Sequence, residues 1–160
     1  MDDFSQGLQN VSPDGWAVVL DTQVVLDWLW FDDPRLQPLA QAVRARHLRW
    51  LATPPMRAEL EEVLDRFQVK KSNQNREQVL TLMNEHVLWI HEPIPPWPHR
   101  CTDPDDQMFL DLAIYRQARW LLSRDKAVLK LKSLARARGC EITTPQCWSE
   151  EMASGLRPSP

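Results

Sequence analysis

Asp21, Glu59, Asp106 and Asp125 stand far apart in this 160-residue chain, yet each falls where an α/β fold would deliver side chains to one edge. Asp21 ends the apolar run Ala17-Val18-Val19-Leu20, and Asp125 follows Trp120-Leu121-Leu122-Ser123 within two residues. In an open parallel sheet, ligands gather outside the carboxyl ends of the strands. Glu59 lies in the first turns of the helix expected after the second strand, and Asp106 in the first turn of a helix announced by Asp103-Pro104-Asp105-Asp106. Carboxylates gathered in one crevice raise one another's pKa unless a cation joins them. Hard oxygen donors of this kind select Mg²⁺ or Mn²⁺ rather than zinc. An ion so held lowers the pKa of a bound water and clamps phosphate oxygens, so the expected chemistry is phosphodiester hydrolysis.

Each acid also has a plainer reading. Asp21 alone would serve as a turn residue, and Glu59 shares its helix with Glu61, Glu62 and Asp65, a charged solvent face. Asp103, Asp105 and Asp106 would cap a helix and complement its dipole, and Asp125 would cap the next one. The order of the acids along alternating elements is what favours a shared site.

Those elements follow from local pattern. Short β-branched or apolar runs at 17–20, 49–53, 87–90, 120–123 and 141–143 predict buried strands. Between them, helices are expected from Thr22 to Phe31, from Asp33-Pro34 through about Ala45, after Pro54-Pro55, over about 75–85, from Asp103 to Tyr115, and over about 126–137 before Gly139. Pro93-Ile94-Pro95-Pro96-Trp97-Pro98 must be an extended loop. The alternation predicts three layers, α/β/α, around a central, mostly parallel sheet of about five strands. Residues 1–15 read as a polar extension, 16–148 as one domain, and 149–160 as a tail that frays at SGLRPSP.

Bulk composition agrees with one globular domain: 43% apolar and 26% charged residues are neither disordered nor membrane-like. No apolar stretch is long enough to span a bilayer and the N-terminus lacks a signal pattern, which predicts a cytoplasmic protein. Cys101, Cys140 and Cys147 are expected as reduced thiols, because an odd number at these spacings fits neither a disulfide framework nor a zinc motif. The net charge of −3 conceals an asymmetry: residues 1–33 hold seven acids and no base, whereas Arg116 to Arg138 hold eight bases against Asp125. That basic run is either a solvated helix face or a surface that tracks a phosphate backbone.

With these residues in place, the sequence resembles the PIN-domain ribonucleases, and within them the branch of toxins from bacterial toxin–antitoxin pairs. The resemblance covers about 18–145 and rests on Val19-Leu20-Asp21-Thr22, Pro55-Met56-Arg57-Ala58-Glu59-Leu60 with Val63-Leu64, Asp103-Pro104-Asp105-Asp106 with Phe109-Leu110 and Ala113, and Ser123-Arg124-Asp125 before Leu129. It implies a Mg²⁺ or Mn²⁺ site at Asp21, Glu59, Asp106 and Asp125. In that site Asp21 and Asp106 would be the principal ligands, the Thr22 hydroxyl would steady Asp21, and Ser123 and Asp103 would lend support. It further implies an RNA substrate, with Arg124, Lys126 and Lys130 among its phosphate contacts. A small antitoxin would place an Arg or Lys among the carboxylates, and a homodimer is consistent with the apolar first helix. Two positions depart from the family pattern: Gln23 stands where an asparagine is usual, and Ser123-Arg124 where Thr-Gly is usual.

Eight tryptophans accompany this pattern. Trp50, Trp89 and Trp120 lie in expected strands and read as core, one of Trp28 and Trp30 as an interface residue, and Trp97 in the proline-rich loop as a candidate base-stacking platform. His47, His86, His91 and His99 read as surface residues. A dehalogenase-like phosphatase needs a second acid at position 23, where Gln23 stands, and a receiver domain needs paired acids that are absent. The remaining rival is a PIN fold that binds RNA or protein without cutting.

Overall fold

The computed structural model describes residues 15–68 and 76–153, so most of the polar extension and the SGLRPSP tail lie outside the described residues. Five short strands carry the framework: β1 (Trp16–Leu20), β2 (Leu48–Ala52), β3 (Val87–Trp89), β4 (Trp120–Leu122) and β5 (Glu141–Thr143). All neighbours pair in parallel, in the order β3-β2-β1-β4-β5. Parallel pairing buries both faces of a strand, which is why β1 and β4 read as unbroken apolar runs. Val18, Val19, Leu121 and Leu122 are fully buried.

The helices that flank this sheet are α1 (Thr22–Leu29), α2 (Gln37–Arg44), α3 (Pro54–Gln68), α4 (Arg76–His86), α5 (Gln107–Tyr115), α6 (Lys126–Leu129), α7 (Lys132–Arg136) and α8 (Pro145–Ala153). The architecture is therefore the expected α/β/α arrangement. Differences lie at element ends. A 3₁₀ turn, Pro34–Leu36, precedes α2, and another, Pro104–Asp106, precedes α5. The single helix expected over 126–137 breaks into α6 and α7 at Lys130-Leu131. Helix α8 had no strong periodic signal, and it forms by burying Trp148 against Trp120, ring centroids 6.0 Å apart.

Tryptophan supplies much of the packing. Trp28 packs at a tilt against Trp50, centroids 5.3 Å apart, and stacks on His86, while Trp30 stacks on Phe67. Trp28 and Trp30 are both buried within the chain itself, which corrects the expectation of an interface tryptophan: the apolar sides of α1 are covered by its own core. Burying a large apolar side chain contributes roughly 1.5–3 kcal/mol, enough to make these rings framework rather than ligand surface. Trp97 is also buried, edge-on to His99, and offers no face for base stacking. Trp89 is half-buried on the edge strand, and His86 is half-buried against Trp28 rather than a surface residue.

Chain order places the functional edge. From central β1 the chain builds outward to β2 and β3, then crosses back to lay β4 on the other side of β1. The carboxyl ends of β1 and β4, paired at Leu20 and Leu122, thus flank the switch point where such sheets open a crevice. At the opposite end Gly15, with φ +90°, is wedged under the turn into β2; a Cβ there would lie 2.4 Å from the Arg46 carbonyl oxygen. Among the described residues no helix is long and apolar enough to cross a membrane. All three cysteines are free thiols, Cys101 and Cys140 buried and Cys147 exposed.

Candidate active site

A cleft of about 660 Å³ opens at the switch point, lined by Asp21, Glu59, Asp106, Arg124 and Asp125 together with an apolar wall of Leu26, Val63 and Phe67. All four acids singled out from sequence therefore meet. Each is delivered by a different element. Asp21 leaves β1 and caps α1, its Oδ1 accepting the Val24 N–H at 2.9 Å. Asp125 follows β4 and caps α6 through the Ala127 N–H at 2.8 Å. Both capping roles are thus present beside membership of the cleft. Glu59 projects from α3, and Asp106 sits where the 3₁₀ turn passes into α5.

Three carboxylates come closest. Asp103, Asp106 and Asp125 bring oxygens within 4.8 Å of one another, a group able to hold a metal ion. Asp103, expected only as support, thus joins the tight group, and Asp21 and Glu59 stand around it. The reason is the 3₁₀ turn: Asp103 caps it by accepting the Asp105 N–H, which turns residues 103 and 106 toward the same side.

Supporting hydrogen bonds also differ from expectation. Thr22 Oγ1 donates to Glu59 Oε1, not to Asp21, because as the first residue of α1 it faces across the cleft to α3. Asp21 is steadied instead by Ser123, whose hydroxyl bonds the Asp21 carboxylate and whose oxygen accepts the Asp125 N–H at 3.0 Å. Ser123 is fully buried and so ties the ends of β1 and β4 together.

Electrostatics in the cleft match crowded anions. Burial chiefly, with the charges of Asp125 and Asp27, pushes the Asp21 carboxyl up to about 6, although the Ser123 and Val24 hydrogen bonds oppose the rise. Asp106 is pushed up to about 8 by burial, then by a hydrogen bond and charge from Asp125 and by the charges of Asp103 and Asp21. Glu59 is raised by burial against the Thr22 bond, with Asp105, Asp103 and Glu62 adding to the rise. Asp106 Oδ2 is buried and has no hydrogen-bond partner among the described residues. Crowded hard oxygen donors, one of them buried and orphaned, are what a divalent ion would satisfy.

The basic residues distribute differently from a single phosphate-tracking surface. Arg116 pairs with Glu92, Lys132 and Arg136 with Glu141, and Arg119 lies over the rings of Trp16 and Trp120. Lys126 and Lys130 are exposed and do not line the cleft. Arg124 enters the cleft and forms an ion pair with Asp27. Asp27 escaped the sequence reading, although a lone acid inside the apolar run Val24-Val25-Leu26-Asp27-Trp28 was a signal, since buried Asp is rare unless paired. Arg66 was also missed and lines the cleft from α3.

The acidic floor, the all-parallel sheet and the position of the crevice agree with sequence similarity. The sequence matches the PIN domain family profile over residues 17–127, more than half of the chain. No curated protein matches it. With its acids gathered at the β1/β4 switch point of a five-stranded parallel sheet and this match across most of the fold, the chain belongs to the PIN domain family.

Proposed function

We propose that this chain is an endoribonuclease that hydrolyses RNA phosphodiester bonds with Mg²⁺ or Mn²⁺ in the cytoplasm, under the control of a cognate antitoxin protein. The observation that carries the reading is the convergence of Asp103, Asp106 and Asp125, with one Asp106 oxygen buried and unsatisfied, in a cleft that also contains Asp21 and Glu59. When bound, the ion supplies a water of lowered pKa and positive charge for the phosphoryl oxygens. Asp103, Asp106 and Asp125 would hold it, and Asp21 and Glu59 would complete the anionic shell. The Ser123 and Thr22 hydroxyls orient those two carboxylates. Because burial and mutual repulsion raise Asp21 and Asp106, ion binding releases protons and strengthens with pH up to about 8.

Arg124, Lys126 and Lys130 take the flanking RNA phosphates. The antitoxin, proposed on the family resemblance, would offer an Arg or Lys to the same carboxylates. A homodimer is proposed on the same ground and is read by sedimentation. Purified chain incubated with mixed single-stranded RNAs and Mn²⁺ is expected to cut internally, to stop on chelation, and to lose at least about a hundredfold in rate as Asp106→Asn. Cleavage that survives both chelator and substitution sinks the metal-dependent reading. RNA retention without any cleavage would favour the non-cutting PIN module.

A further inference from the structure

Arg124 is out of place by simple electrostatics. It adjoins Asp125 in the chain and lines the cleft that holds Asp21 and Asp106, yet its guanidinium pairs with neither. Its Nη1 donates instead to Asp27 Oδ2, across 97 residues of sequence. Asp27 is buried on α1, and its other oxygen accepts the Gln23 amide at 2.9 Å. A guanidinium offers five N–H donors and remains charged at any working pH. Nη2 of Arg124 is buried and has no hydrogen-bond partner among the described residues. In the same cleft Asp106 Oδ2 is an acceptor in the same condition. An Arg124–Asp106 pair would satisfy both atoms, and would occupy oxygens that a divalent ion needs.

We infer that Asp27 is a positioning residue, a tether that holds Arg124 against α1 and keeps the chain's own cation off its metal-binding carboxylates. Gln23 steadies the tether from the next turn of the helix. The pair acts in two ways. It fixes the guanidinium in place, and it neutralises a positive charge that would otherwise repel an incoming cation. Both effects pass through Arg124, so when Arg124 is absent only the weak direct field of Asp27 on Asp21 remains. The inference rests on the proposed metal site.

The test measures Mn²⁺ binding to the full chain without RNA, by the paramagnetic resonance of free Mn²⁺, for wild type, Asp27→Asn, Arg124→Ala and the double variant. Asp27→Asn is expected to weaken Mn²⁺ binding on the order of tenfold, as an unmasked cation beside the carboxylates should. Arg124→Ala is expected to bind at least as tightly as wild type, and the double variant to match Arg124→Ala within about twofold. Gln23→Ala, a milder change at an exposed residue, is expected to weaken binding about two- to threefold, again cancelled by Arg124→Ala, and it serves if Asp27→Asn fails to fold. Wild-type affinity in Asp27→Asn, or a double variant as weak as Asp27→Asn alone, overturns the tether while leaving the metal site standing. No Mn²⁺ binding by wild type overturns both.

Discussion

Replacing Asp21 by Asn should make the metal-free protein more stable at neutral pH while impairing the site. The folded chain holds the Asp21 proton far more tightly than an unfolded chain would, its pKa rising from 3.8 to about 6. A carboxyl raised in this way favours the folded state fully below about pH 3.8, and that favour is lost as the pH climbs through about 6. At ~1.4 kcal/mol per pH unit, the loss by neutral pH is about 3 kcal/mol. Burial of Asp21 is nearly complete, so solvent screening removes little of it. Asn keeps an acceptor for the Val24 N–H and remains a good helix cap, so the change sheds the buried charge without removing the cap. Allowing for a weaker bond to Ser123, the expected gain is about 1–3 kcal/mol near pH 7.5, shrinking to within about 0.5 kcal/mol near pH 4. Urea unfolding of both proteins in chelator at the two pH values reads this directly, and Mn²⁺ should then stabilise wild type more than Asp21→Asn. A variant that is less stable at both pH values, or equally more stable at both, would refute the claim that a buried anion is the source of strain.

Two further outcomes test how the framework supports the cleft. Gln107 is buried and holds the loop before Asp103, accepting the Cys101 N–H and donating to Asp111 at 2.9 Å, which also accepts the Trp97 N–H. Gln107→Ala strands the Cys101 donor and should cost about 2–3 kcal/mol in denaturant unfolding, with weaker Mn²⁺ binding as residues 103–106 loosen; an unchanged midpoint would show that the loop is held elsewhere. Gly15→Ala should destabilise by about 2 kcal/mol or more in thermal unfolding, since its φ of +90° and the Arg46 carbonyl at 2.4 Å leave no room for a methyl group. A neutral result there would mean that the turn into β2 yields easily.

Much of the fold was legible one segment at a time. Ala17-Val18-Val19-Leu20 before Asp21 announces a buried strand with an acid at its end, and Pro54-Pro55 opens a helix, because strand burial and helix initiation are local properties of a few residues. The alternation of such segments was enough for a parallel sheet, and the sheet was enough to bring Asp21, Glu59, Asp106 and Asp125 into one cleft. Less local periodicity meant less foresight. Helix α8 is stabilised by the burial of Trp148 against Trp120, a contact that no window of sequence contains.

Pairings across the cleft were decided by tertiary structure. Thr22 meets Glu59 over 37 residues, and Arg124 meets Asp27 over 97. Which acids form the tight group depended on a single 3₁₀ turn at Pro104–Asp106 that turns Asp103 inward. Residue type and order determined that anions would collect at the β1/β4 edge. Their protonation, and which cation each one holds, followed from burial and from distances of a few ångströms, because Coulomb and desolvation energies change over that length and a linear sequence does not record it.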